Sequence, residues 1–123
     1  MPNFSRFINL IQINISNTGI ENVSYIPSSD EVFICYGNCL KLCPQLSKNL
    51  KVLELSYNKI TNMPVFSENL EIVSLYYNEI KLFCGFNHGL IYLSARSNSL
   101  VRLPFIPDTV RILQLEFYSW III

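Results

Sequence analysis

The stretch LKVLELSYNKI, Leu50 to Ile60, returns twenty residues later as LEIVSLYYNEI, Leu70 to Ile80. A fixed period of this length constrains a chain more tightly than any other feature, because each unit must stack on its neighbours to bury its apolar face. Stepping by twenty in both directions holds the phase without an insertion. One apolar column reads Leu10, Asp30, Leu50, Leu70, Leu90, Val110; a second reads Ile13, Phe33, Leu53, Val73, Leu93, Leu113; a third reads Ile15, Cys35, Leu55, Leu75, Ala95, Leu115. A fourth holds an amide in its centre: Thr18, Asn38, Asn58, Asn78, Asn98, Tyr118.

Physical chemistry gives each column a role. Leu53 and Leu55 alternate as a short strand would, with both side chains turned inward. The next block then lays its strand alongside and forms a parallel sheet. Each aliphatic side chain removed from water contributes about 1.5–3 kcal/mol. Asn38, Asn58, Asn78 and Asn98 stand where the chain leaves the strand. An amide both donates and accepts, so such a column acts as a structural ladder that satisfies turn backbone of adjacent blocks. The loss of Asn at both ends fits terminal repeats that cap a stack. Between strands, Pro44, Pro64 and Pro104 recur in one slot. Proline fixes φ near −65° and removes a donor. A twenty-residue coil has no room for a long convex helix, so the return segment is expected to be extended, polyproline-like or turned through 3₁₀.

The pattern L-x-x-L-x-L-x-x-N-x-L, together with LPFIPDTVRILQL and LKVLELSYNKITNMP, resembles the short, proline-marked leucine-rich repeats of secreted bacterial effector ligases. It resembles equally the leucine-rich-repeat gene family proteins of insect poxviruses and other large DNA viruses. The resemblance implies a leucine-rich-repeat solenoid: a curved right-handed coil with one parallel β-sheet on the concave side and extended or 3₁₀ convex segments. The expected organisation is a short cap over 1–9 and six repeats at 10–29, 30–49, 50–69, 70–89, 90–109 and an incomplete 110–123. The resemblance also implies a protein partner, a host protein for a viral or microbial factor, gripped on the sheet face. Two other readings stand beside it: the recognition half of a ligase-type effector without its catalytic domain, and a degenerate, truncated gene-family copy.

The strand slots between the inward columns face the concave side. They hold five of the seven tyrosines. Tyr36, Tyr57, Tyr76, Tyr77, Tyr92, Arg96 and Phe117 therefore form the candidate partner-binding patch, since tyrosine and arginine anchor protein interfaces. The competing explanation is that tyrosine simply suits exposed strand positions.

Other chemistries find little footing. The formal charge is zero, which gives no basic face for nucleic acid or an anionic membrane. No apolar run approaches the length of a spanning helix, and the opening MPNFSRFINL lacks the features of a signal peptide. A cytoplasmic location follows as the expectation. Cys35, Cys39, Cys43 and Cys84 match no zinc spacing; Cys35 and Cys43 replace inward leucines and read as buried thiols. His88 lies between glycines in a return loop without a foreseeable acid or nucleophile partner. No enzyme activity, metal or cofactor is expected. Asn3, Asn14 and Asn22 match the glycosylation sequon and read as coincidence in an Asn-rich chain. At the ends, Phe4 and Phe7 are expected to cover the first block, while SWIII leaves an uncapped edge that invites end-to-end self-association.

Overall fold

A computed structural model of the chain describes residues 3–117. Eight strands follow in order: β1 (Gln12–Asn14), β2 (Val32–Ile34), β3 (Val52–Glu54), β4 (Asn62–Met63), β5 (Ile72–Ser74), β6 (Leu82–Phe83), β7 (Tyr92–Leu100) and β8 (Ile112–Phe117). Six of them form one parallel sheet in the order β1-β2-β3-β5-β7-β8. The pairings are offset by one period, so Gln12 meets Val32, which meets Val52, then Ile72, Tyr92 and Ile112; the exception is the end of β7, where a register shift after Ala95 sets Leu100 opposite Phe117. The alternation of a strand turns one residue of each trio inward. Phe33, Leu53, Val73 and Leu93 are fully buried. Leu113, in the last described coil, is 41% exposed because no further coil covers it among the described residues.

The coil closes by three recurrent devices. A turn precedes each strand, with the amides of Asp30, Leu50, Leu70, Leu90 and Val110 donating to the carbonyls of Pro27, Ser47, Ser67, Asn87 and Pro107. Within those turns Asn49 Nδ2 donates to Ser28 O, and Asn69 Nδ2 to Lys48 O, each at 2.6 Å. After each strand the Asn column takes over. Asn58 Oδ1 accepts from Leu40 N at 2.9 Å, and its Nδ2 donates to Cys35 O at 2.9 Å and Leu55 O at 3.0 Å. Asn78 repeats this with Ile60 N, Leu55 O and Leu75 O, and Asn98 with Ile80 N, Leu75 O and Ala95 O. At the first coil Asn38 accepts from Thr18 N and Ile20 N and donates to Ile15 O. Each amide thus ties its own coil to the preceding one, at points where an unpaired backbone group would be costly.

The return segments are extended, and no 3₁₀ turn forms among the described residues. Two of them pair instead: β4 and β6 make a small second parallel sheet, Asn62 opposite Leu82 and Met63 opposite Phe83. Beside it Phe66 stands edge to face against Phe83 and Phe86, which tilt against each other, with centroids 5.1–5.9 Å apart. Aromatic bulk fills the space that a helix would occupy in a longer repeat, and edge-to-face geometry suits the ring quadrupoles.

The ends are less regular. Phe4 packs against the core, but Phe7 is 40% exposed and carries the Arg6 guanidinium over its ring at 4.8 Å, so only one of the two expected phenylalanines covers the first block. The SWIII segment lies outside the described residues. Within the leucine column, Asp30 is fully buried, and neither of its carboxylate oxygens has a hydrogen-bond partner among the described residues.

Candidate protein-binding face

Tyrosines at the sheet's outward side gather just past the carboxyl ends of β2, β3 and β5. Two come from the residue before last of the strand exit, Tyr36 and Tyr76, and two from the next position, Tyr57 and Tyr77. That next position has a distinctive backbone. Asn17, Gly37, Tyr57, Tyr77 and Ser97 all have φ between +55° and +67°. In this left-handed turn the amide of each residue reaches the following coil: Asn17 N donates to Tyr36 O, Gly37 N to Ser56 O, Tyr57 N to Tyr76 O and Tyr77 N to Arg96 O, at 2.9–3.1 Å. The next residue then swings its side chain inward, which is how the Asn column is aimed. A bulky residue is uncommon at positive φ, where strain is of order 1 kcal/mol. Tyr57 and Tyr77 nonetheless occupy it in successive coils.

Their rings form one cluster. Tyr57 stacks on Tyr77 with centroids 4.6 Å apart and planes 17° from parallel. Tyr36 tilts against Tyr57 at 5.1 Å, and Tyr76 stands edge-on to Tyr57 at 5.6 Å. Tyr57 and Tyr77 remain 41% and 52% exposed. Ring pairs of this kind add about 0.5–1.5 kcal/mol beyond area burial. Partial desolvation raises the Tyr57 hydroxyl above its ordinary range, with Tyr36 and Tyr77 adding to the shift. Tyr76 is raised for the same first cause, with Glu54 as the next contributor.

Beside Tyr76 and Tyr77 lies an open cleft of about 320 Å³, completed by Ser94, Ser97, Arg96 and Gln114. Arg96 Nε donates to Glu116 Oε1 at 3.2 Å, while Ser97 N donates to the other carboxylate oxygen at 3.3 Å. The carboxylate therefore holds both the Arg96 side chain and the turn that carries it. Tyr92 stands apart from the ring cluster, and its hydroxyl donates to Gln114 Oε1 at 3.4 Å. Phe117 ends β8, and its side chain lies outside the described residues.

Three serines occupy the slots between the inward columns but do not reach the surface. Ser56, Ser74 and Ser94 are buried, and Ser56 Oγ and Ser74 Oγ lie 3.2 Å apart. A short side chain between longer neighbours is overtopped by them, so this part of the face has a polar floor beneath an aromatic surface.

The cysteines do not assemble. Cys35 is buried in the core beneath Asn38, whose Nδ2 donates to its sulfur at 3.2 Å; burial pushes its thiol up to about 11 against the smaller opposing effect of that bond. Burial likewise pushes Cys43 up to about 12. Cys84 is exposed, and Cys39 and Cys43 are half-buried, so of the two thiols expected inward only Cys35 is fully enclosed. Among the described residues no group of three His, Cys, Asp or Glu side chains converges in a way that could hold a metal ion. His88 is exposed on its return loop.

No family model and no curated protein matches the chain. Among solved structures it is similar to YopM from Yersinia enterocolitica WA-314, with a TM-score of 0.82 and 30% sequence identity. That likeness covers 86% of this chain and 24% of the YopM chain, so the chain spans about a quarter of the length of the protein it matches.

Proposed function

Starting from a chain that is a leucine-rich-repeat solenoid of about five turns, resembling a bacterial effector, we propose that it binds a partner protein through the tyrosine-bearing outward face of its sheet. The observation that carries this reading is the ring cluster of Tyr36, Tyr57, Tyr76 and Tyr77, half-exposed and bordered by the Arg96 cleft. Tyr92 extends the patch along β7. Aromatic anchors on a rigid element supply large contact area at low ordering cost, and a few of them carry most of an interface's affinity. No catalytic step is assigned to this face. A leucine-rich-repeat solenoid is typically a non-catalytic scaffold, and among the described residues the face combines neither a nucleophile with a base nor paired carboxylates.

The partner is a protein rather than nucleic acid or membrane, since the chain's formal charge is zero. Among the described residues no helix is long and apolar enough to cross a membrane. All four cysteines are unpaired, which favours a reducing compartment and hence action inside a cell, against a host protein. The test is affinity capture with the parent chain, with Tyr57→Ser/Tyr77→Ser, and with Leu42→Ser/Val65→Ser as a control away from the patch. Loss of about 2 kcal/mol or more of affinity in the first variant alone supports the assignment. Equal capture by folded Tyr57→Ser/Tyr77→Ser refutes it.

A further inference from the structure

We propose that Asp30 is a proton-operated latch on the N-terminal coil: a neutral carboxyl keeps residues 3–29 stacked on β2, and an ionised one releases them.

The column position that Asp30 occupies is held by Leu50, Leu70 and Leu90 in the coils that follow, all fully buried. Asp30 is buried to the same extent, yet both its oxygens lack a partner among the described residues. The nearest backbone amides are already engaged, because Glu31 N and Val32 N both donate to Ile11 O, at 2.9 and 3.1 Å. The charged group acting on Asp30 is Glu31, which pairs with Lys51 Nζ at 3.1 Å. The column neighbours Leu10 and Leu50, and Ile11 before β1, carry no charge. An ionised carboxylate here has no cation to meet it, and a buried unpaired charge is strongly disfavoured. Desolvation accordingly raises the Asp30 carboxyl to about 7; the nearby amides of Val32 and Glu31, committed to Ile11 O, oppose this only weakly, and the Glu31 charge adds to it.

The coil that answers this penalty is the weakest one. Residues 3–29 contribute only Ile13 and Ile26 to the fully or nearly buried hydrophobic core, whereas the coil beginning at Leu50 contributes six such side chains through Phe66. Peeling the first coil away returns Asp30 to water at the cost of the β1–β2 pairing, the Asn38 bonds to Thr18, Ile20 and Ile15, the inter-coil backbone bonds such as Asn17 N to Tyr36 O, and the burial of Ile13 and Ile26. The sign follows from linkage. A carboxyl raised from 3.8 to about 7 in the closed state leaves closure fully favourable below pH 4 and weakens it progressively up to pH 7. The closed-to-open ratio falls by about a thousand-fold across that window. Release uncovers the β2 edge, a row of free backbone groups open to strand addition.

Amide hydrogen exchange on the whole chain between pH 4 and 7, corrected for intrinsic rates, tests the latch. The reporters are Ile15 and Asn17, whose amides donate to Ile34 O and Tyr36 O, and Glu31 and Val32, which donate to Ile11 O; Leu55 and Leu75 are internal controls. Protection of the four reporters is expected to fall toward ten-fold per pH unit while the controls hold. Asp30→Asn and Asp30→Leu are both expected to flatten the reporters' profile. Reporters and controls losing protection together in the parent, or an unchanged profile in either folded variant, overturns the latch. Neither result bears on the tyrosine face, because the experiment contains no partner.

Discussion

Replacing Asn58 with Ala removes a ladder amide whose partners are all buried, and the damage can be worked group by group. The side chain satisfies Leu40 N, Cys35 O and Leu55 O. Leu55 O retains a second donor, Asn78 Nδ2, at 3.0 Å. Leu40 N and Cys35 O are left without a replacement in a buried setting, and each orphaned group costs about 1–3 kcal/mol. The expected loss is therefore about 3–5 kcal/mol, a large part of the stability of a domain this size. Asn38→Ala is the internal control. Its partners are nearer water: Thr18 is exposed, and Ile15 O also accepts from Thr18 Oγ1 at 2.8 Å. Solvent can replace the lost amide there, so about 1 kcal/mol is expected. Urea unfolding followed by far-ultraviolet circular dichroism measures both, with the midpoint shift converted through the parent's slope. A loss below about 1 kcal/mol in Asn58→Ala, or an Asn38→Ala variant at least as damaged, refutes the view that the ladder acts by satisfying buried backbone.

Gly37→Ala places a Cβ at φ +67° against the Asn17 side-chain oxygen, and a stability loss of about 1–2 kcal/mol is expected in thermal unfolding; an unchanged midpoint contradicts the steric argument. Alkylation at neutral pH is expected to modify Cys84 first and to spare Cys35 and Cys43 until denaturant is added, as read by peptide mass spectrometry; early labelling of Cys35 refutes its inert burial. Spectrophotometric titration is expected to show tyrosinate formation above the ordinary range for Tyr57 and Tyr76, and stability to fall as pH rises through those raised values. A late-titrating component that persists in Tyr57→Phe/Tyr76→Phe contradicts the assignment.

Much of the fold was legible because it is written in columns. Leu53, Val73 and Leu93 repeat one role in successive coils, so a single register fixes the pairing of the main sheet at these positions, and a one-residue slip would turn the whole apolar set outward. The central Asn column was legible for the same reason. The left-handed turn was not. Of the five residues that adopt it only Gly37 and Asn17 are types that favour positive φ, while Tyr57 and Tyr77 are types that normally avoid it. Their conformation is imposed by the ladder of amides between coils, a tertiary cause invisible to local propensity. The second amide series, Asn49 and Asn69, escaped notice because it sits outside the repeat's signature positions. The β4–β6 sheet escaped because two-residue strands leave no periodic trace. Asp30 was placed inward by its column, but its want of a partner is a fact of three-dimensional surroundings.

The positive φ of Tyr57 and Tyr77 has a consequence for recognition. A main chain locked by hydrogen bonds on both sides fixes where each Cβ points, and mutual stacking narrows the choices that remain to the rings. Immobilising a rotamer-rich side chain on association costs about 0.5–1.5 kcal/mol. For these two tyrosines most of that loss has already occurred when the coil closes, so a visiting surface meets an array set in advance and keeps more of its contact energy as affinity.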